Sequence, residues 1–362
     1  MPQSQATPKK SLRIAVVAPI EERIPPHKYG GIELVVSHIT EELIHRGHTV
    51  ALLASGDSKT KAKRVPLAQY SLRSPRHFVE SGRERDIYKM FAVARAVEYL
   101  QSHEVDIVHN HSGWRFLAFS PLIQAPIVST LHGSLEAPEE HMIYTSFKEV
   151  NFVSISNAQR VPLPSLPYIQ TVYNGIDVQA YRFSKKTGDY LLWLGRMSKE
   201  KGPIEAIRAA RAAGDRLIMA GKVDRVDREY FAQSVKPLVD GKQIQFVGEV
   251  SHKEKVKLFA GAKAMLFLIQ WREPFGLVMI ESLACGTPVI ATNRGSVSEV
   301  IVHGEHGFIV NTWQEAAEAI SRIPAISRSA CRKRVEEHFT LKHMVDGYEQ
   351  VYEKVCALKS RS

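Results

Sequence analysis

Two glutamates separated by seven residues could bind a ligand that is rich in hydroxyl groups. Glu273 stands before Pro274-Phe275-Gly276, and Glu281 follows in the apolar segment after this turn. A carboxylate can accept hydrogen bonds from two neighbouring hydroxyls, such as the 2′- and 3′-hydroxyls of a ribose or those of a hexose. As isolated residues, the same pair would also suit a helix-capping acid and a solvated helix position, so the surrounding residues must decide.

The residues that follow Glu273 predict a turn that leads into a helix. Pro274 and Gly276 favour the turn, and the apolar residues after them favour the helix. The start of such a helix presents successive backbone N–H groups and a partial positive charge. The segment therefore predicts a binding site for a phosphate group or a sugar oxygen.

Candidate residues in the first half of the chain are less specific when they are taken singly. The pair Gly30-Gly31 allows close approach of the backbone to a phosphate, but it also suits a tight turn before a helix. His132 follows an apolar segment, where a lone histidine is more often structural. His109 and His111 would share one face of a strand, but a zinc site needs further ligands and no third cluster is evident. We therefore predict no metal site.

The chain alternates short apolar segments with amphipathic ones, which is typical of doubly wound α/β sheets. Apolar, β-branched segments predict strands, and apolar residues at helical spacing predict helices. In the first half we expect strands around residues 13–19, 49–54, 105–109, 127–131 and 151–155, and helices around 31–46 and 87–100. In the second half we expect strands around residues 190–195, 215–220, 244–247, 264–268 and 287–291, and a final helix around 341–358.

Two domains are expected, because 362 residues exceed what one hydrophobic core usually organises. The strand pattern starts afresh near residue 190, and a proline-rich stretch at 161–167 and a polar one at 184–189 flank the join. In open α/β sheets ligands bind beyond the carboxyl ends of the strands. Two facing Rossmann-like domains would therefore share one interdomain cleft.

The composition is that of a globular protein, with 44% hydrophobic and 24% charged residues. The sequence shows neither an apolar signal core nor a segment long enough to span a bilayer, so we expect a cytoplasmic enzyme. Three widely spaced cysteines favour neither disulfides nor zinc. The net charge of +10 would suit an anionic ligand, although solvated lysines give the same excess, and we predict no nucleic-acid partner.

The stretch from residue 273 to residue 291, EPFGLVMIESLACGTPVIA, resembles the retaining glycosyltransferases of family 4. That family has the GT-B architecture of two facing Rossmann-like domains. The resemblance implies that Glu273 contacts the transferred sugar and that Glu281 contacts the nucleotide ribose. It also implies donor contacts from the backbone of Phe275, Gly276 and Leu277.

Further matches to the same family run along nearly the whole chain. The segment LGRMSKEKG at residues 194–202 is similar to the one in which an arginine and a lysine, here Arg196 and Lys201, grip the diphosphate. The resemblance also implies that Gly30 and Gly31 approach the donor phosphates and that His132 faces the transferred sugar. The family often has two glycines before a Glu-Val pair, whereas here an arginine precedes the second glycine in residues 294–300, which leaves that phosphate contact open.

The resemblance implies a retaining, metal-independent transfer that needs no cofactor. A hexose would pass from a nucleotide diphosphate sugar, of the UDP-glucose or GDP-mannose type, to a hydroxyl of a glycan, a lipid or a small molecule. Residues 1–180 would bind the acceptor, residues 181–340 would bind the nucleotide sugar, and the helix in residues 341–362 would pack back across the boundary. We expect the base to be read near residues 248–250.

Two other enzyme classes share parts of this pattern. A nucleotide-sugar 2-epimerase has the same architecture but rearranges its substrate without an acceptor. A NAD-binding oxidoreductase is more distant, because no Gly-x-Gly-x-x-Gly motif follows the first strand and no acidic residue ends the second strand at the expected place.

Residues 57–95 contain ten lysines or arginines but only four aspartates or glutamates. Such an excess could dock the protein on anionic lipid at the inner membrane face, or bind an anionic acceptor. A solvated loop would show the same charges. The sequence leaves these three interpretations open.

Overall fold

Two parallel sheets form the framework of the protein in a computed structural model that describes residues 11–28, 30–80 and 82–359. The N-terminal residues, for which no signal core is predicted, and the last three residues lie outside this part. The first sheet has seven strands in the order β3-β2-β1-β6-β7-β8-β9, and the second has six in the order β12-β11-β10-β13-β14-β15. The predicted α/β fold of two Rossmann-like sheets is confirmed.

The strands of the first half are β1 (Arg13–Val17), β2 (Thr49–Ser55), β3 (Lys63–Ala68), β4 (Arg73–Ser74), β5 (His77–Phe78), β6 (Ile107–Asn110), β7 (Ile127–Thr130), β8 (Asn151–Ser154) and β9 (Tyr168–Thr171). Those of the second half are β10 (Tyr190–Leu194), β11 (Arg216–Ala220), β12 (Ile244–Phe246), β13 (Ala264–Phe267), β14 (Val289–Thr292) and β15 (Gly307–Val310). The short strands β4 and β5 pair antiparallel, apart from the two large sheets.

The helices of the first half are α1 (Gly31–His45), α2 (Gly82–Ser102), α3 (Trp114–Leu117) and α4 (Pro138–Thr145). Those of the second half are α5 (Pro203–Ala212), α6 (Arg228–Tyr230), α7 (His252–Gly261), α8 (Leu277–Ala284), α9 (Val297–Val300), α10 (Trp313–Arg322), α11 (Arg328–His338) and α12 (Leu341–Lys359). Within the described residues, no helix is both long and apolar enough to cross a bilayer.

The central strands of both sheets are buried on their two faces, as their unbroken apolar sequences predicted. Every residue of β1 after Arg13 is buried, and the same holds for all of β13 and β14. Such strands leave polar or small residues only at their ends. The residues that follow the carboxyl ends of β6, β7, β10 and β13 therefore face the space between the two sheets.

Three strands of the large sheets were not expected from the sequence. Strand β3 carries exposed charges and Pro66, which is typical of an edge strand but reads as a loop in the sequence. Strand β9 was hidden by the proline-rich stretch before it, and β15 by its brevity and its first glycine. Part of the basic segment at 57–95 is therefore an edge strand and not a loop.

Two stretches of chain, around Ile176 and around residues 339–341, connect the sheets and are hydrogen-bonded to each other. The Ile176 N–H donates to the Phe339 carbonyl oxygen at 3.0 Å, and the Leu341 N–H donates to the Ile176 oxygen at 3.1 Å. The second stretch leads into α12, which packs its apolar face on α1 and on the first sheet. Strand β9 ends and β10 begins on either side of residue 180, and a domain boundary there remains a prediction.

Candidate functional site

Three adjoining cavities form one cleft at the carboxyl ends of the two sheets. The central cavity is lined by Lys201, Glu273 and His132, and it lies between the sheets. It shares Gly31 and Leu277 with a cavity on the side of the second sheet, which we call the second-sheet cavity. It shares His132 with a cavity that is walled by residues of the first half alone, which we call the first-sheet cavity.

Glu273 lies on the wall of the central cavity with its carboxylate held in place. The side chain is nearly buried, and its Oε2 accepts hydrogen bonds from Lys201 Nζ at 2.6 Å and from Trp271 Nε1 at 3.1 Å. The Lys201 ammonium also lies 4.5 Å from the centre of the Trp271 ring. The structure therefore brings together two residues that are 72 positions apart in the sequence.

The backbone of Glu273 is supported by the loop that follows β14. The Ser296 N–H donates to the Glu273 carbonyl oxygen at 3.0 Å, and the Ser296 hydroxyl donates to the Phe275 oxygen at 2.8 Å. Gly295 has a φ of 61°, and a Cβ at this position would lie only 2.1 Å from the Glu273 oxygen. The sequence left the role of this loop open, and in the structure it shapes the turn that carries Glu273.

The turn after Glu273 ends at the start of α8, as the sequence predicted. Helix α8 begins at Leu277, and its N-cap residue, Gly276, has a left-handed φ of 76° and no side chain that could cap the helix start. Phe275, Gly276 and Leu277 all line the central cavity. The Met279 N–H donates to the Gly276 oxygen at 3.0 Å, and the two N–H groups before it, those of Leu277 and Val278, could serve a ligand in that cavity, where the helix dipole favours an anion.

Gly30 and Gly31 face this helix start from the first half of the chain. Helix α1 begins at Gly31, and a Cβ on Gly31 would lie 3.5 Å from the Leu277 side chain. A Cβ on Gly30 would lie 2.7 Å from Pro26, and its φ of 159° suits glycine. Both glycines line the second-sheet cavity. The backbone of the first half of the chain therefore lies against the turn that follows Glu273 in the second half.

Glu281 lies in the second-sheet cavity and is a buried residue, not a solvated helix position. Only 2% of its surface is exposed, and its Oε1 accepts hydrogen bonds from the Tyr181 hydroxyl at 2.8 Å and from Lys255 Nζ at 2.5 Å. Burial, together with the charge of Glu281, raises the pKa of Tyr181 well above its usual value. Glu249 and Val250 line the same cavity, where the base was expected to bind.

Arg196 follows β10 and reaches the central cavity. Its guanidinium donates to Glu200 and lies 3.4 Å, measured from Nε, from Asp227 Oδ2. Glu200 belongs to the same short segment, but Asp227 comes from the connection after β11. Sequence reasoning found the arginine and missed both carboxylates, and no local pattern marks Asp227.

His132 is half-buried and adjoins two buried histidines, His109 and His111. His132 Nε2 and His111 Nδ1 are 2.9 Å apart, and the rings of His111 and His109 lie 4.0 Å apart. His109 is held by Thr130 at 2.8 Å and by the Tyr352 hydroxyl of α12 at 2.7 Å. Burial lowers the pKa of His132 to about 4 and that of His109 to about 3, so the cluster is neutral near pH 7.

His109 and His111, the two histidines that share one face of a strand, therefore contact each other, Thr130, His132 and Tyr352. Among the residues that the structure describes, no group of three or more histidine, cysteine, aspartate or glutamate side chains is arranged to hold a metal ion. His111 and His132 line the first-sheet cavity, and His132 also lines the central one. Tyr348 and Tyr352 were not expected near this cluster, because they come from the last helix of the chain.

Comparisons with family models cover most of the chain. Residues 29–180 match the model described as Glycosyltransferase Family 4, and residues 179–337 match the model described as Glycosyl transferases group 1. The chain is also 26% identical to the glycogen synthase of Mycobacterium tuberculosis, over 91% of this chain and 92% of that protein.

Solved structures share the arrangement of the two sheets. A sucrose-phosphate synthase from Thermosynechococcus elongatus superposes with a TM-score of 0.78 at 20% identity, over 96% of this chain and 99% of the other. HepE from Anabaena, solved in complex with UDP-glucose, superposes with a TM-score of 0.72 at 20% identity, over 97% and 100% of the two chains. These likenesses identify the fold as GT-B.

Proposed function

This chain belongs to the group 1 glycosyltransferases of family 4, which transfer a sugar from a nucleotide sugar, and we propose that it moves a hexose with retention of configuration. The observation that carries the proposal is the pairing of Lys201 with Glu273, at 2.6 Å, in the cavity that also receives the uncapped start of α8. A cation, a carboxylate and free N–H groups meet there within the reach of one sugar diphosphate. The epimerase and oxidoreductase alternatives lose support, because both matching family models describe glycosyltransferases.

The donor would lie along the cleft with its diphosphate in the central cavity. Arg196 and Lys201 supply two cations, and the start of α8 supplies backbone donors and a partial positive charge. A departing nucleoside diphosphate gains negative charge, which preorganised donors in a partly buried site stabilise strongly. Glu200 and Asp227 hold the Arg196 guanidinium in place before the donor binds.

The nucleoside would occupy the second-sheet cavity. Glu281 is the buried carboxylate there, and its second oxygen, Oε2, is available for the ribose hydroxyls while Oε1 is held by Tyr181 and Lys255. We propose UDP as the nucleotide, and HepE, which was solved with UDP-glucose, supports this choice by its similar fold. GDP-mannose is the alternative donor type.

The acceptor would enter through the first-sheet cavity, which opens to the central cavity at His132. In the transfer, the acceptor hydroxyl oxygen forms a bond to the anomeric carbon as the bond from that carbon to the diphosphate oxygen breaks. The proton of the hydroxyl passes to the departing phosphate oxygen on the same face. Glu273 and neutral His132 would then position the hexose, and no enzyme nucleophile is consumed.

Two glutamate variants separate sugar positioning from nucleotide binding. We expect Glu273→Gln to lower turnover about 100-fold or more with a much smaller change in the Kd for UDP, because this carboxylate would contact the hexose directly and the diphosphate only through its ion pair with Lys201. Glu281→Gln should instead weaken UDP binding, measured by calorimetry. Glu305→Gln, at an exposed position of the second half, is the matched control. Unchanged turnover in the Glu273 variant would refute the proposal.

Ligand-induced thermal shifts identify the donor class. A ligand that binds only the folded state raises the unfolding temperature, so UDP should stabilise the protein, in the presence of EDTA as well as without it. A larger shift with GDP would replace the UDP assignment by GDP, and a shift that EDTA abolishes would contradict metal-independent binding.

Proton NMR of the first product formed then tests retention of the anomeric configuration, since an inverted anomer excludes the same-face reaction.

A further inference from the structure

The outer face of helix α2 exposes an apolar patch that the cleft does not use. Ile87, Met90 and Phe91 are 48%, 43% and 62% exposed, and their spacing places them on one side of the helix. We call these three residues the α2 patch. Phe78, which is 53% exposed, lies on the neighbouring β5, whose His77 is 2.9 Å from the Tyr88 hydroxyl of α2. Neighbouring exposed apolar side chains of this kind are typical of an interaction surface.

Two arginines border the α2 patch on its own helix. Arg83 lines the same groove as the patch residues, and Arg95 follows Phe91 by four residues, which places it on the same side of the helix. Strand β3 packs beside α2, and the Lys63 ammonium lies 5.3 Å from the ring of Tyr99 near the end of that helix. Among the acids between residues 57 and 95, Asp86 is paired with Arg115 at 2.8 Å and Glu80 with Arg225. The exposed cations in the same segment are Lys59, Lys61, Lys63, Arg64, Arg76, Arg83 and Arg95.

We propose that the α2 patch and the basic strand beside it dock the protein on an anionic lipid bilayer. Apolar side chains would enter the headgroup region while the flanking cations attract acidic headgroups, the two contributions that hold a helix at a membrane surface. A second copy of this chain fits less well. A symmetric contact through the α2 patch would bring the same cations of both copies together.

The inner face of the same helix lines the first-sheet cavity through Lys89, Ala92 and Val93. A helix with its side chains is about 10 Å across. Docking through the outer face would therefore hold the first-sheet cavity about one helix diameter from the lipid headgroups. This surface is independent of the proposed donor and reaction, so its test needs no activity measurement.

Vesicle flotation tests the proposal with the full-length protein. The wild-type protein should float with vesicles of equal parts phosphatidylcholine and phosphatidylglycerol, and much less with phosphatidylcholine alone or at high salt. The double variant Ile87→Ser/Phe91→Ser should bind the anionic vesicles at least about tenfold more weakly. Arg83→Ser/Lys63→Ser, which removes exposed cations on α2 and on the strand beside it, should weaken binding by about fivefold for each cation.

Val161→Ser is the matched control, because Val161 is 60% exposed and lies in the connection between β8 and β9, at the sheet edge opposite β3. All replaced side chains are exposed, and thermal melts check that each variant is folded. Wild-type protein that stays in the soluble fraction with anionic vesicles overturns the proposal. So does equal flotation of the Ile87/Phe91 variant, or a dimer in light scattering that this variant abolishes.

Discussion

Replacing Gly295 by alanine should disable the site without a new side chain entering the cleft. Gly295 has a φ of 61°, and a Cβ there would lie 2.1 Å from the Glu273 oxygen and 2.6 Å from its nitrogen. Real Cβ atoms essentially never approach other atoms closer than 3.0 Å. The turn that carries Glu273 must therefore move by about 0.9 Å, the difference between 3.0 Å and 2.1 Å.

The size of the effect follows from that displacement. A misplacement of about 1 Å in a positioned reacting group costs about 100-fold in rate, so we expect Gly295→Ala to reduce turnover by about that factor. The Kd for UDP should change less than turnover, because Glu281 and Lys255 would still hold the nucleoside in the second-sheet cavity. Turnover is measured with the sugar derivative of the nucleotide that gives the larger thermal shift. The Kd for UDP is measured separately by calorimetry.

Gly304→Ala controls for the backbone strain alone. Gly304 also has a left-handed φ, 82°, but a Cβ there would meet nothing within 4 Å. Both variants pay the cost of a left-handed alanine, about 1–2 kcal/mol of folding free energy, and only one displaces Glu273. Wild-type turnover in Gly295→Ala, or an equal loss in both variants, would refute the reasoning.

Two further changes probe buried carboxylates. Burial raises the pKa of Glu33 to about 7 from 4.5, so its proton stabilises the folded state fully below pH 4.5, and this stabilisation is lost as the pH rises through 7. Glu33→Gln should therefore gain stability relative to wild type between pH 5 and pH 8, by up to about 3 kcal/mol in denaturant unfolding, and a constant difference would contradict this. Lys255→Met leaves Glu281 buried without its cation, so UDP should bind about tenfold or more weakly, whereas the exposed Lys253→Met in the same helix should bind UDP as wild type does.

The sequence indicated the parts of the candidate site that one continuous segment supplies. Glu273, its turn and the start of α8 form one continuous segment, and a strand end followed by proline and glycine predicts such a turn. The sequence indicated Glu281 as a candidate ligand-binding residue. Its burial could not be predicted, because Tyr181 and Lys255, which donate hydrogen bonds to it, come from other parts of the chain. Asp227 was missed for the same reason.

The edge of the first sheet shows a different limit of sequence reasoning. Strand β3 lacks the apolar alternation that marks a strand, since an edge strand tolerates charge and proline on its open side. From the sequence, a solvated loop was one of three interpretations that these charges left open. The contact of Tyr352 with His109 was also beyond prediction, because only the packing of the last helix brings them together.

The return of α12 to the first sheet has a consequence for how the protein is made. Met344, Tyr348 and Tyr352 complete the core around strands β1 and β6, although they lie near the end of the chain. The first sheet therefore emerges from the ribosome long before α12, the helix that covers it, has been synthesised. The half of the molecule that is translated first must be the last to finish folding, and a chain cut before α12 would leave that half with an open core.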